Sequence, residues 1–560
     1  MKIAIAQINP IIGDFNHNFN KIMNFAEKAK QLSCDLIVFS ELVITGYPPR
    51  DLLEKKDFVE ANLKCLNRLI ESIHGIGVIC GFVDKNPGKK GKALYNSAAL
   101  FENSILMHQV KKRLLPDYDV FDDSRYFEPG LSCESYTYKG HRIGLTVCED
   151  IWNDRDIIKK RIYHLDPVSL LIKDGADLII NISASLFYVG KNRLKTDMLG
   201  SIARKYSVPV IYANQVGGND SILFDGLSAA FDQNGQIKAR ACDFEEDIVV
   251  FDTESSKGFE GNLHSISGSD TESILRALIM GTRDYATKCG FSKVVLGLSG
   301  GIDSALTAYI ATKAMGHENV LAVSMPSMYT SRENRNDAEK LAKNLGIELK
   351  EIPIKGLFRE FTRLVAPSFK ESNPTVAQQN IQARIRGTIL MAFSNMHDSL
   401  LLSTGNKSEF SVGYCTLYGD MSGGLAVIAD VPKTIVYDIA CFINSEKEYI
   451  PQRIIEKTPS AELKPNQTDQ DDLPPYEILD PILNGYIEDL KGIDELVEMG
   501  FERSLVEDVV RRVDQNEYKR RQAAPALKVT SKAFGDGRRY PLAKKMNIER
   551  IKRRTSNIER

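Results

Sequence analysis

The sequence predicts an α/β protein of two units: an N-terminal layered sandwich and a C-terminal doubly wound parallel sheet. Three observations carry that expectation. Apolar runs of strand length alternate with helix-period segments through residues 1–253. Ser- and Gly-rich residues then interrupt the pattern at 254–270, as a linker does. Alternation resumes, with new helices and apolar strands, through 271–560. With 560 residues and 43% hydrophobic side chains, the chain can bury more than one core.

The elements follow in order. Residues 2–8 read as a strand, and 18–32 as a helix with Phe19, Ile22, Ala26 and Ala29 on one face. Residues 35–39 form an apolar run without alternation, the pattern of a strand buried on both faces. Further strands read at 77–83, 97–101, 105–110, 142–148, 177–182 and 208–213. The DQNG at 232–235 is a hairpin turn between 227–231 and 236–239. In the second unit a helix at 271–288 precedes a strand at 293–297 and a helix at 303–315. A strand at 320–325, a helix at 333–345, and strands at 348–352 and 399–403 complete the pattern. Gly346 stands where a helix C-terminal glycine belongs. The polar stretch 457–475 reads as a long loop of the kind that forms a lid.

Composition excludes several classes. A net charge of −2 gives no nucleic-acid footprint, and the Lys and Arg gathered at 538–554 read first as a solvated helix face. No apolar run approaches a membrane span, and the chain opens directly on a strand rather than a signal peptide. The nine cysteines, at 34, 65, 80, 133, 148, 242, 289, 415 and 441, form no C-x-x-C pair. That usage fits a reducing cytoplasmic compartment and gives no zinc framework.

Three chemistry-bearing residues stand at strand ends in the first unit. Glu41 follows LIVF, Lys112 follows ILMHQVK, and Cys148 closes GLTV. Singly each has a plain structural reading, since a lone Cys is usually core and a lone strand-end Lys usually solvated. Together they are a base, a cation and a thiol. Amide hydrolysis needs that set: a carboxylate to take the thiol proton, a thiolate to attack, and a positive charge for the oxyanion. The motifs E-L-x-x-T-G-Y-P at 41–48, K-x-x-L-P at 112–116 and V-C-E-D at 147–150 resemble the carbon–nitrogen hydrolase (nitrilase) superfamily. The resemblance implies an αββα sandwich with Glu41, Lys112 and Cys148 as catalytic triad. Where that family carries a further Glu in E-x-R-x-F, this chain has Asp123 in D-S-R-Y-F. The glutaminase branch further implies glutamine contacts from Tyr118, Ser185, Lys191, Glu149 and Tyr47. For Tyr118 and Tyr47, packing at the pocket rim is the equal alternative.

The second unit carries VLGLSGGIDSA at 295–305. A strand, two glycines, serines and a helix start make a cradle of N–H groups for phosphate, without the lysine of a Walker loop. S-G-G-I-D-S resembles the PP-loop ATP pyrophosphatases. With S-T-G-N-K-S-E at 403–409, Q-N-I-Q-A-R-I-R at 379–386, Y-G-D-M-S-G-G at 418–424, D-V-P-K-T at 430–434, P-S-A-E-L at 459–463 and S-K-A-F-G-D-G-R-R at 531–539, it resembles the NAD synthetase family.

That resemblance implies ATP contacts from Gly297, Leu298, Ser299, Gly300, Gly301, Ile302, Asp303, Ser304, Thr404, Lys433 and Ser460. It implies Mg²⁺ on Asp303 and Glu409. Glu409 also reads as a carboxylate favoured at a helix N-terminus. Contacts to nicotinic acid adenine dinucleotide are implied from Asn380, Arg384, Glu409 and Lys532. Single-domain relatives carry Lys in T-K-[FY]-G-D, where this chain has Leu417. The implied reaction frees ammonia from glutamine and joins it, through an acyl adenylate made with ATP, to the dinucleotide acid. The resemblance also implies a homo-oligomer. Two other readings stay open at this level: a different PP-loop amidotransferase, and a nucleotide-binding regulatory protein with an idle hydrolase unit.

Overall fold

The structure is a computed structural model and describes residues 1–154, 162–254, 259–365, 375–460, 462–465 and 467–544. Residues 255–258 of the expected linker and the basic stretch from 545 onward lie outside the described residues.

The first unit is a sandwich of two sheets. Its strands are β1 (Lys2–Gln7), β2 (Leu36–Val38), β3 (Gly77–Lys85), β4 (Leu94–Glu102), β5 (Ile105–Lys111), β6 (Tyr136–Tyr138), β7 (His141–Val147) and β8 (Leu178–Ser183). There follow β9 (Val210–Asn214), β10 (Val216–Asn219), β11 (Ile222–Asp225), β12 (Ala229–Phe231), β13 (Ile237–Arg240), β14 (Asp247–Asp252) and β15 (Glu260–Gly261). One sheet runs β15-β14-β1-β2-β3-β4-β5 and the other β13-β12-β9-β8-β7-β6. Strand β2 pairs in parallel with both β1 and β3, which is why LIV shows no polar face.

Ile3, Ile5, Leu36, Val38 and Ile79 of one sheet meet Leu145, Val147, Ile180, Ile182 and Ile211 of the other in a shared core. Helices Phe15–Gln31 and Lys56–Ser72 cover the outer face of the first sheet through Ile22, Ala26, Ala29, Leu66 and Leu69. Helices Pro167–Lys173 and Lys191–Tyr206 cover the second through Val168, Leu171, Met198 and Ile202. The four layers are those the sequence implied.

Several element boundaries differ from the sequence reading, two of them with consequences for the site or the sheet. The strand expected at 142–148 stops at Val147, and Cys148 instead opens a 3₁₀ turn, Cys148–Ile151. The expected linker contains β15, which pairs antiparallel with β14 and so extends the first sheet. A pair of residues is too short for periodicity to reveal, so only the tertiary partner defines it.

The second unit holds β16 (Val294–Gly297), β17 (Val320–Ser324), β18 (Glu348–Glu351), β19 (Leu400–Ser403) and β20 (Leu425–Ala426). All pair in parallel in the order β18-β17-β16-β19-β20. The chain turns outward in both directions from β16, so a crevice opens beside its C-terminal end. Helix Ile302–Met315 packs on one face, and helix Val376–His397 lies on the other through Ile385, Ile389 and Leu390. Helix Arg332–Leu345 starts on Ser331, whose hydroxyl accepts from Asn334 N–H, and ends at Gly346 with φ 72°.

The units share a core. Val216 and Leu223 of the hairpin β10–β11 pack with Leu275 and Leu278 of helix Asp270–Lys288.

Candidate functional site

The first site forms where strand ends of the two sheets converge. Glu41 leaves β2 with no exposed surface. Gly81 on β3 lies against that backbone, and a Cβ there would sit 2.2 Å from Leu42 N. Glu41 Oε1 accepts from Lys112 Nζ at 2.7 Å and Asn96 Nδ2 at 2.7 Å, and Oε2 accepts from Ala184 N–H at 2.9 Å. Lys112 Nζ also donates to Asp123 Oδ2 at 2.6 Å, and Tyr47 OH donates to Asp123 Oδ1 at 3.0 Å. Asp123 therefore stands directly beside the lysine. Burial works against the Lys112 ammonium, but the carboxylates of Asp123 and Glu41 outweigh it and hold its pKa well above the usual lysine value.

Cys148 is buried and takes a φ of 45°, the left-handed region that a side chain enters at a cost. Two neighbours hold the turn. Asn181 Nδ2 donates to Cys148 O at 3.3 Å, and Asp150 accepts from the N–H groups of Val147, Arg113 and Leu114 at 3.1, 3.0 and 2.9 Å. Asp150 so ties the thiol's turn to the segment that carries Lys112. Burial first, and then the Glu41 carboxylate, push the Cys148 thiol well above its usual pKa. Both influences favour the thiol over the thiolate at Cys148.

The expected glutamine contacts divide. Tyr118 OH donates to both Glu149 oxygens at 3.0 Å, and burial raises the Glu149 carboxyl. Lys191 Nζ donates to Leu186 O at 2.9 Å, lies 5.6 Å from the Trp152 ring centroid, and is lowered to about 8 by burial and then by Lys195. Ser185 N–H donates to Asn214 Oδ1 at 2.8 Å. Tyr47 departs from the expectation. Its hydroxyl is spent on Asp123, and it borders a separate cavity of about 890 Å³ with Arg50, Asp536 and Arg539.

The second site is a cavity of about 270 Å³ at the C-terminal ends of β16 and β19. Gly297, Leu298, Ser299, Gly301, Ile302, Asp303, Ser304, Thr404, Glu409, Lys433 and Ser460 all line it. Gly300 has φ 75°, and a Cβ on it would meet Asn334 O at 2.3 Å, so only glycine fits. Ser299 N–H donates to Ser304 Oγ at 3.3 Å, and Gly301 N–H donates to Ser299 Oγ at 3.2 Å, folding the loop around its own hydroxyls.

Lys433 Nζ donates to Asp303 Oδ2 and to Glu409 Oε1, the latter at 3.3 Å. Asn406 Nδ2 donates to Asp303 Oδ1 at 3.0 Å. Burial pushes the Glu409 carboxyl up to about 8. Asp303 and Glu409 thus meet on the one ammonium of Lys433.

Three expected substrate contacts are not brought to this wall. Asn380 accepts from Thr416 Oγ1 at 2.9 Å, Arg384 Nε donates to Leu417 O at 3.1 Å, and Lys532 offers its carbonyl to Lys407 Nζ at 3.1 Å. Arg386, two residues beyond Arg384, lines the cavity instead. Sequence reading also passed over Asn96, Asp150 and Lys457. Asn96 left one signal, an amide inside the apolar run of β4. Lys457 left none, since its partner Gly300 lies 157 residues away.

Among the described residues no helix is long and apolar enough to cross a membrane, and all nine cysteines are free.

Known proteins resemble both halves of the chain. The carbon-nitrogen hydrolase family matches residues 2–257, and the NAD synthase family matches residues 274–523. A glutamine-dependent NAD(+) synthetase of Synechocystis is 46% identical, covering 97% of this chain and 98% of that relative. The one from Thermotoga maritima is 42% identical, covering 97% and 98%. The structure of the Acinetobacter baumannii glutamine-dependent NAD+ synthetase, solved with ADP, superposes with a TM-score of 0.76 at 39% identity, covering 97% of this chain and 98% of that one.

Proposed function

The chain belongs to the family of glutamine-dependent NAD(+) synthetases, and on that premise we propose how its two sites divide the reaction. Residues 1–253 form the glutaminase unit and 271–560 the synthetase unit. The observation that carries the reading is the buried set Glu41, Lys112 and Cys148, with Glu41 2.7 Å from the lysine and close enough for its carboxylate to raise the thiol pKa.

In the first site Glu41 takes the Cys148 proton as the sulfur attacks the glutamine side-chain carbonyl. The oxygen becomes negative beside Lys112, whose charge is already desolvated and needs no reorganisation. Glu41 returns the proton to the leaving nitrogen, ammonia departs, and water hydrolyses the thioester to glutamate. Tyr118, Glu149, Ser185 and Lys191 hold the amino acid end of glutamine.

In the second site the pyridine carboxylate of nicotinic acid adenine dinucleotide attacks the α-phosphorus of ATP. Pyrophosphate leaves into the 299–304 loop, and ammonia then displaces AMP from the acyl adenylate to give NAD. Asp303 and Glu409 would hold Mg²⁺, which would supply positive charge against the triphosphate. Thr404, Lys433 and Ser460 contact ATP. Asn380, Arg384, Glu409 and Lys532 are assigned to the dinucleotide, and the first, second and fourth reach it only if it extends beyond the cavity wall.

We place the enzyme in the cytoplasm, where unpaired thiols persist, and as a homo-oligomer. Leu357, Phe361 and Leu364, exposed along one face of helix Lys355–Val365, are apolar surface that an assembly would bury.

The test separates the sites. Cys148→Ala should abolish NAD formation from glutamine and leave formation from ammonium intact, read as NAD produced with each nitrogen source. Equal loss of both in a folded protein refutes the division of labour.

A further inference from the structure

The phosphate loop of the second site has no lysine of its own. The fold brings one to it. Lys457 follows the short helix Gln452–Glu456 and opens the polar stretch expected to act as a lid. Its Nζ donates to Gly300 O at 2.6 Å and to Asn334 Oδ1 at 2.7 Å, and the residue lines the cavity with Ser299, Gly301 and Ser304. An ammonium has three N–H groups. Two are engaged, and the third remains for the cavity.

Charge singles out the same residue. Four cationic side chains line this wall: Arg335, Arg386, Lys433 and Lys457. Lys433 is neutralised by Asp303 and Glu409, and Arg335 pairs with Glu351. Among the described residues Lys457 and Arg386 form no ion pair. Arg386 is anchored away from the loop, through Nε to Met325 O at 3.2 Å. Of the four, Lys457 alone is both without an ion pair among the described residues and bonded to the phosphate loop, with Glu462 and Asp337 its nearest carboxylate influences. Lys457 lines the cavity together with Ile302 and Asp303 at the start of helix Ile302–Met315, so an anion in the loop meets both the helix N-terminus and this ammonium.

We propose that Lys457 is the residue that binds the β- and γ-phosphates of ATP and stabilises pyrophosphate as it leaves, doing from a distant loop what a Walker lysine does from within. The proposal rests on the reading that ATP is cleaved to AMP and pyrophosphate in this cavity. As the carboxylate oxygen bonds to the α-phosphorus, the bond from that phosphorus to the bridging oxygen breaks, and its electron pair stays on pyrophosphate. The Lys457 ammonium meets that growing charge with its free N–H and keeps its proton. Because Lys457 also closes the polar loop onto Gly300, the group that receives pyrophosphate is part of what covers it.

The test uses the full-length protein with ammonium as nitrogen source, so that the glutaminase site is not involved. Lys457→Gln keeps hydrogen bonding and removes the charge. Lys457→Met serves if the Gln variant does not fold, and Lys457→Arg restores charge. Product inhibition is measured with pyrophosphate and, separately, with AMP. The expected result is a loss of pyrophosphate inhibition of roughly tenfold or more in the neutral variants, with AMP inhibition unchanged and kcat down about 10²-fold. The Arg variant should recover most of the pyrophosphate affinity. Inhibition by both products weakening equally would assign Lys457 a purely structural latch, and unchanged pyrophosphate inhibition would dismiss it altogether. Either result overturns the proposal. Failure of the underlying reading would show instead in the unsubstituted enzyme, as release of ADP and phosphate.

Discussion

Replacing Glu41 by Gln is the sharpest probe of the first site, because its cost can be worked from the hydrogen bonds. Glu41 accepts three: from Lys112, Asn96 and the Ala184 N–H. A carboxamide has one oxygen and one NH₂. If the oxygen stays toward Lys112 and Asn96, the NH₂ faces the Ala184 N–H. If it is turned, the NH₂ faces the Lys112 ammonium. Either way a buried donor opposes a donor, at a cost of about 1–3 kcal/mol in stability. Lys112 keeps its charge through Asp123, so the oxyanion contact survives. What is lost is proton transfer, worth ~10²–10⁴ in rate, or about 3–5 kcal/mol in the barrier. The assay is glutamate release from glutamine with ATP and the dinucleotide acid present, run beside NAD formation from ammonium. Glutamine-driven turnover should fall by at least ~10²-fold while ammonium-driven turnover stays near wild type. A Gln variant retaining most of its glutaminase rate would show that another group takes the thiol proton, and the assignment of Glu41 would fail.

Three further outcomes follow from the geometry. Asn96 donates to Glu41 and its carbonyl accepts the Lys112 N–H at 2.8 Å, so Asn96→Ala should lower glutaminase kcat by roughly tenfold with little change in KM, measured by initial rates. Lys191 sits at about 8, so it is a cation below that pH and neutral above it; kcat/KM for glutamine should decline as pH rises through 8, and Lys191→Met should flatten that limb. Gly300→Ala forces a side chain onto Asn334 O at a positive φ, so ammonium-driven synthesis should drop about 10²-fold or more while the thiol at 148 still reacts with a glutamine-like alkylating agent.

Much of this was legible because both chemistries rest on strand ends, and buried strands announce themselves in sequence. LIVF before Glu41, GLTV before Cys148 and VVLG before the glycine loop are apolar runs that can end only at a sheet edge. Residues that brace the reacting groups from another strand were not legible. Asn96 acts across two strands on Glu41, and Lys457 acts across most of a domain on Gly300. Nothing local distinguishes such residues from a polar residue satisfied by water. The conformation of Cys148 was hidden for a related reason: a positive φ at a non-glycine residue comes from its surroundings, here Asn181 and Asp150, rather than from its own preference.

The same bracing ties the first site to the second unit. Lys288, in the first helix of the synthetase unit, donates to Asn9 Oδ1, Gly218 O and Asn219 Oδ1 at 2.7, 2.9 and 2.8 Å. Asn219 in turn donates to Tyr47 O at 2.7 Å, Tyr47 OH to Asp123, and Lys112 to both Asp123 and Glu41. Every link is short, and most are buried, so each resists displacement more than a solvated contact would. Lys112 of the first site is therefore positioned by a carboxylate whose other oxygen is held, through a tyrosine and a hairpin, by a helix of the second unit. A hydrolase domain cut away at residue 253 would keep its triad residues and lose the far anchor of that chain. Its melting temperature should fall, and Tyr47 with Asp123 should be the part of the site that loosens first, visible as faster hydrogen exchange at 45–48 and 121–124 than at the strands β7 and β8.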